Sequence, residues 1–335
     1  MTTSVAEWHQ RATTGNRRAV GRLLSLVERG GSEADAITDL TFNTLNNAPV
    51  IGITGAPGSG KSTLTGALVS LLASQGLKPA VLAVDPSSPL TGGAILGDRI
   101  RMDDRVYAAT HNSDQSTHPF IRSMATRGHA GGLALAVPAA IRVFDVAGFS
   151  PIIIETVGIG QVEVDVAAVA DTTMVVVTPE GGDSVQANKS GLLEVADVFV
   201  VNKADRPGAD QTKRDLDLML DLSHVSGHDE IVGWRPTILM TQATAADDDE
   251  SQITEVWSAI QTHQEHLAQS GQLAVRRRER LRAEVRSRVE QSLLADLTGA
   301  LPAVDSPELD GTHSPLALAR RVTDRFRSPG SPQLK

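Results

Sequence analysis

The residues most able to do chemistry lie between 50 and 62. Gly55-Ala56-Pro57-Gly58-Ser59-Gly60-Lys61-Ser62 fits the pattern GxxxxGK[ST] and follows the apolar run Val50-Ile51-Gly52-Ile53-Thr54. A helix-compatible stretch, 63–73, comes directly after it. Glycines let a backbone curl until several N–H groups point at one phosphate, and a helix N-terminus behind the curl adds positive potential. In that setting Lys61 reaches the β- and γ-phosphates and the Ser62 hydroxyl ligates Mg²⁺. Gly55, Gly58, Ser59, Gly60, Lys61, Ser62 and Thr63 are therefore the expected nucleotide-binding residues of this loop.

A second constellation reads the base. After the apolar run 198–201 stands Asn202-Lys203-Ala204-Asp205, an NKxD sequence about 140 residues beyond the phosphate loop. The Asp205 carboxylate can accept from guanine N1–H and from the exocyclic amine. Adenine lacks that donor pair and would leave a buried carboxylate unpaired. The Lys203 stem can cover one face of the base, and Asn202 can tie the loop together. A further guanine loop is expected after the strand 237–241, where Ala243 offers its backbone N–H to guanine O6. Gln242 stands there in place of the serine common in related GTPases.

The elements that position these residues form an α/β pattern. Apolar or β-branched runs at 50–54, 80–84, 151–155, 173–178, 198–202 and 237–241 alternate with helical patterns, as strands buried on both faces of a parallel sheet do. The expected fold is a three-layer, mostly parallel P-loop NTPase core over 48–268, with a helical extension over 1–47 and a C-terminal helical arm over 269–335. The first extension reads as one or two amphipathic helices, stopped at Gly30-Gly31 and restarted by a cap at Ser32. In the arm, Leu281, Val285, Val289 and Leu293 recur at four-residue intervals on a helix over 275–297. Packing of that stripe on its own core and packing on a second subunit are both open.

Composition narrows the classes. The 335 residues carry 31 Lys+Arg against 40 Asp+Glu, a formal net charge of −9, which argues against a nucleic-acid or anionic-membrane binder. Aromatic residues are 3% of the chain, too few for a base-stacking platform. There is no cysteine, so disulfides, thiol catalysis and cysteine-ligated metals are excluded. No apolar run approaches the length of a membrane span, and the N-terminal residues lack a secretion pattern; a soluble, cytoplasmic protein is expected.

Six blocks in order resemble the MeaB/ArgK-like P-loop GTPase family of the SIMIBI class. They are GITGAPGSGKSTL (52–64), VLAVDPSSPLTGGAILGDRIRM (81–102), FIRSMATRGHAGGLA (120–134), IIIETVGIGQVEVDV (152–166), PEGGDSVQANKSG (179–191) and VNKAD (201–205). The resemblance implies a homodimeric GTPase that uses GTP/GDP and Mg²⁺. It also implies a chaperone that loads and protects an adenosylcobalamin-dependent methylmalonyl-CoA mutase or a related acyl-CoA mutase. Within the matched blocks, Asp85 ends a strand on the phosphate side, and Asp98 can reach the Mg²⁺ or the attacking water. Glu155 ends another strand, where P-loop enzymes hold the Mg²⁺ shell. Lys61, Asp98 and Glu155 are the expected catalytic residues, and Ser62, Asp85, Asp98 and Glu155 the metal set.

Gly158 is the expected γ-phosphate sensor. Gln161 lies three residues past it, whereas the water-orienting glutamine of small signalling GTPases follows the glycine directly. Gln161, Asp183, Gln186 and Lys189 belong to the expected switches. The pairs His224/His228 and His263/His266 read as solvated surface histidines, and Arg276-Arg277-Arg278 as a charged helix face. Two other functions compete. A nickel or cobalt metallochaperone GTPase is disfavoured by the missing cysteines and histidine clusters. A small-molecule kinase, such as an amino-acid-transport kinase, is disfavoured by the guanine-type NKxD loop.

Overall fold

In a computed structural model of the chain, the described residues are 3–85, 118–125, 132–156, 162–179, 194–225, 233–243, 249–302 and 314–327. The chain divides into two compact units, Met1–Leu281 and Arg282–Lys335.

Seven strands form the centre of the first unit: β1 (Val50–Thr54), β2 (Ala80–Asp85), β3 (Phe120–Ala125), β4 (Ile152–Thr156), β5 (Thr172–Val177), β6 (Val198–Asn202) and β7 (Thr237–Thr241). They lie in the order β3-β2-β4-β1-β5-β6-β7, and all six pairings are parallel. Every carboxyl end therefore lies along one edge of the sheet, where α/β proteins place ligands. The helices of this unit are α1 (Val5–Thr13), α2 (Arg17–Arg29), α3 (Ser32–Phe42), α4 (Lys61–Ser74), α5 (Gly132–Val146), α6 (Val162–Val169), α7 (Ala209–Val225) and α8 (Asp249–Gln269). The helix α9 (Gln272–Ala300) begins in the first unit and continues into the second.

The two-residue period of the strands generates three layers. Val50, Leu82, Ile152 and Ile154 point to one face, where they pack with Leu23 and Leu24 of α2 and Phe144 of α5. Their neighbours Ile51, Ile53, Val81 and Ile153 point to the other, against Leu64 and Leu68 of α4 and Val256 and Ile260 of α8. A third cluster joins Val175, Phe199 and Val201 to Leu216 and Leu220 of α7. β1 itself is pressed close by α6: a Cβ on Gly52 would lie 2.7 Å from Val166 Cγ1.

Six of the strands fall on the expected runs. β3 does not, because Arg122 and Ser123 break its apolar pattern. Among the described residues it is an edge strand, paired only with β2, and half-buried polar residues are tolerated there. Arg122 is held by Glu28 (2.8 Å) on α2. The N-terminal extension contains three helices rather than one or two. Gly30 and Gly31 do separate α2 from α3, with φ of 77° and 82°. Ser32, however, is the first helical residue of α3; Gly31 takes the cap position without a side-chain bond.

The second unit contains the end of α9 and α10 (Pro315–Arg327). Its apolar residues Val285, Val289 and Leu293 are about half exposed, whereas Glu284 and Val322 are buried. Among the described residues no helix is long and apolar enough to cross a membrane.

Candidate nucleotide site

The phosphate cradle forms where β1 hands over to α4. Gly55 has φ 140°, and a Cβ on it would fall 2.1 Å from the Val176 carbonyl oxygen, so only glycine lets the loop cross β5. Gly60, with φ 90°, immediately precedes α4, and a Cβ there would meet the Asn202 amide nitrogen at 2.2 Å. Ser59 N–H donates to Ala56 O and closes the turn (3.2 Å). Lys61 is nearly buried and folds back across the loop, its Nζ donating to Gly55 O at 2.7 Å and Ala56 O at 3.0 Å. Both acceptors are neutral carbonyls. Charged phosphate oxygens are the stronger acceptors, so this ammonium can exchange one set for the other at a gain. Ser62 and Thr63 lie in the first turn of α4, beside the same loop.

Glu155 completes the phosphate side. It lies on β4 opposite Ile53 of β1 and Ala83 of β2, is fully buried, and accepts from Ser62 Oγ at 2.5 Å. One residue further, Thr156 Oγ1 donates to Thr54 Oγ1 and fastens the strand ends together (3.1 Å). A carboxylate and a hydroxyl converging at the mouth of a phosphate loop are hard oxygen donors of the kind Mg²⁺ takes. Asp85 is the last residue of β2, whose carboxyl end lies on this edge. Asp98, Gly158, Gln161, Asp183, Gln186 and Lys189 lie outside the described residues.

Asn202 joins phosphate grip to base reader. This buried side chain donates from Nδ2 to Ser59 O (2.8 Å) and accepts at Oδ1 from Thr241 Oγ1 and Ala243 N–H, both at 3.2 Å. Lys203 Nζ donates to Gly58 O (2.8 Å). The Lys203 backbone is left-handed (φ 59°), sparsely populated for a side chain of this size. Ala204 N–H, donating to Thr241 O at 2.9 Å, helps to hold it there. Asp205 is exposed at the tip of this loop.

The expected N–H of Ala243 is present but already donates to Asn202, so guanine O6 has to share or replace a long bond. Two residues outside the expected set help to shape this region. Thr241 ends β7, and Gln252, on α8, accepts from Gln242 N–H at 2.8 Å. Thr241 was legible as a hydroxyl at a strand end. Gln252 gave no signal.

The amino edge of the sheet holds a different constellation. Asp171 and Asp197, both buried, stand immediately before β5 and β6. Asp171 accepts from Val50 N–H (3.0 Å), Arg277 (3.0 Å) and Arg280 (2.5 Å). Asp197 accepts from Thr173 N–H and both terminal nitrogens of Arg276, each at 2.8 Å. His263 is fully buried between Thr172 Oγ1, 2.9 Å from Nδ1, and Asp197 Oδ1, 3.2 Å from Nε2. Burial pushes the Asp197 pKa up, but the bonds and charges of His263 and Arg276 outweigh it and hold the group below its ordinary value.

One expectation is corrected here. His263 is a core residue, because its position falls on the apolar stripe of α8. Arg276 and Arg277, on the expected charged helix face, are ion-paired to Asp197 and Asp171.

The sequence profile of the family described as methylmalonyl Co-A mutase-associated GTPase MeaB matches residues 20–301. A Pyrococcus abyssi protein whose name claims no more than a GTPase is 46% identical over 327 residues, covering 98% of this chain and 94% of its own. A fused isobutyryl-CoA mutase of Geobacillus kaustophilus is 37% identical over 232 residues, which are 66% of this chain and 20% of that larger protein. The crystal structure of an LAO/AO transport system kinase superposes with a TM-score of 0.64 at 26% identity, covering 97% of this chain and 98% of the other. With the phosphate loop, the NKxD loop and the seven-stranded parallel sheet in place, the chain belongs to the MeaB family of P-loop GTPases.

Proposed function

We propose that this GTPase works with Mg²⁺ and that its nucleotide state is read by an adenosylcobalamin-dependent acyl-CoA mutase of the methylmalonyl-CoA mutase type, whose cofactor loading and protection it supports. The observation that carries the nucleotide half is the bridge through Asn202, which fixes the phosphate loop and the base loop to one side chain. The mutase half is supported by the family's description and by a relative in which a matching segment is part of an isobutyryl-CoA mutase chain.

In this reading Gly55, Gly58, Ser59, Gly60 and Thr63 surround the phosphates with backbone N–H groups, and Lys61 neutralises charge on the β- and γ-phosphates. Ser62 and Glu155, with Asp85 and Asp98, hold the metal. When bound, Mg²⁺ would neutralise charge on the phosphate oxygens. Asp205 accepts from guanine N1–H and the 2-amino group, Lys203 covers the ring, and the segment at Ala243 faces O6. Gly158 senses the γ-phosphate, and Gln161, Asp183, Gln186 and Lys189 relay its loss. The exposed stripe Val285, Val289, Leu293 and Leu297 on the arm supports a homodimer.

The test is capture of the mutase from a cell extract by GTP- and GDP-loaded protein, with GTP turnover measured with and without it. Nucleotide-dependent capture and faster turnover are expected; equal failure to bind in both states overturns the mutase reading. Labelled γ-phosphate appearing on an amino acid rather than in inorganic phosphate would replace hydrolysis by the kinase activity named for the structural relative.

A further inference from the structure

The segment 241–243 is pinned from two sides. On one side lies the NKxD loop, with the two 3.2 Å bonds to Asn202 Oδ1 and the Ala204 N–H bond to Thr241 O. On the other lies α8, where Gln252 Oε1 accepts from Gln242 N–H at 2.8 Å, shorter than either bond to Asn202. α8 is a firm support, since the next residues on its inner face, Ile253, Val256, Trp257 and Ile260, are buried in the cluster that also contains Ala243, Leu64 and Met174. A side chain held by such a helix fixes a backbone position better than one held by a loop.

We propose that Gln252 is a positioning residue for base recognition: by holding Gln242 N–H it sets where the 242–243 backbone meets the purine's C6 substituent. This deepens the guanine reading above and rests on it. Asp205 belongs to the NKxD loop and reads N1–H and the 2-amino group, so the bond from α8 supports the C6 side of the base and not Asp205. Losing the Gln252 acceptor frees only the C6 side. A segment without its bond to α8 tolerates a larger, weaker acceptor in place of O6, whereas the reading of the 2-amino group is unaltered.

The experiment measures binding of GDP, ADP, 6-thio-GDP and IDP by titration calorimetry to the full chain and to two variants. 6-Thio-GDP changes only the C6 substituent, and IDP lacks only the 2-amino group. Gln252→Met removes the acceptor at similar volume, and Gln252→Glu keeps a carboxylate acceptor at the same reach. The native chain is expected to prefer GDP over 6-thio-GDP. In Gln252→Met that preference shrinks about fivefold, the loss of one neutral hydrogen bond, while the GDP-to-IDP ratio stays at its native value.

Gln252→Glu is expected to retain both ratios, and thermal unfolding of both variants to stay near the native midpoint. Equal weakening of all guanine-type ligands in Gln252→Met, or an unaltered 6-thio-GDP ratio, overturns the positioning role. So does a native chain indifferent to sulfur at C6, or loss of the ratio in Gln252→Glu while that variant remains folded. If Gln252→Met does not fold, the Gln252→Glu ratios and Gln252→Asn, whose shorter side chain withdraws the acceptor, decide between the same outcomes. A native chain that binds ADP as well as GDP instead sinks the guanine reading itself.

Discussion

The two edges of the sheet solve the burial of charge in opposite ways. At the carboxyl edge, Lys61 donates to two backbone carbonyls of the phosphate loop and Glu155 accepts from the Ser62 hydroxyl, bonds that a phosphate and a metal ion can replace. At the amino edge, Asp171 and Asp197 are each met by guanidinium groups and backbone N–H donors of the chain itself. Bonds to neutral groups can be exchanged at a gain for bonds to a charged ligand, whereas carboxylates already met by fixed cations gain nothing from one. The first edge is built for exchange and the second for closure. Clustered charge alone therefore does not locate a site; what distinguishes the two is whether its bonds can be exchanged for those of a charged ligand.

That contrast predicts which measurement each edge controls. Lys61→Ala is the largest expected effect: loss of its charge on the phosphates should lower GTP turnover about 10²- to 10³-fold. Unfolding stability should change less than turnover does, because the bonds to Gly55 O and Ala56 O are made to neutral carbonyls. Phosphate-release kinetics set beside a denaturant titration check both halves, and near-native turnover would break the assignment of the carboxyl edge. Asp171→Ala should do the reverse. It leaves Arg277, Arg280 and Val50 N–H without their carboxylate, a loss of about 3–5 kcal/mol in unfolding free energy. In protein still folded at low temperature, GDP affinity should be native.

The carboxyl edge was legible because its glycines and its NKxD loop have few other uses. The amino edge was not, although each acid ends the same tripeptide: Val169-Ala170-Asp171 precedes β5 and Val195-Ala196-Asp197 precedes β6. An aspartate before a strand is common, and its partners lie 79 and 106 residues away. His263 was misread for the opposite reason. Ile253, Val256, Trp257, Ile260 and Leu267 mark the buried stripe of α8, and position 263 falls within it. A polar residue type suggests a solvated position, but the apolar periodicity around it decides burial. β3 escaped because edge strands need no apolar continuity.

Asp197 sharpens the contrast through pH. Its native pKa lies below the ordinary value, so its contribution is fully present above the ordinary carboxylate range. The contribution is lost as pH falls from that range through the depressed native value. Unfolding of the native chain and of Asp197→Asn, followed from about pH 7 to about pH 3, should show the native chain ahead at neutral pH and the gap closing in acid. A gap that stays constant to the acid end would mean that the His263–Asp197–Arg276 pairing does not stabilise the fold as an ion pair.

The smallest effect comes from a pair with the same separation and a different setting. Arg235 meets Asp221 at 2.8 Å, as Arg276 meets Asp197, but Asp221 is 65% exposed and the Asp197 side chain 6%. Water and salt screen the exposed charges, and holding two mobile side chains together costs rotamer entropy. The bond from Asp221 raises the Arg235 pKa, yet a shift on so exposed a group converts poorly into stability. Asp221→Ala should therefore cost no more than about 0.5 kcal/mol, and added salt should erase the difference. Arg276→Ala should cost several times more and persist in salt, because it strands a buried carboxylate. Equal costs for the two would show that distance, not burial, governs ion pairs in this fold, and the distinction between the two edges would lose its physical basis.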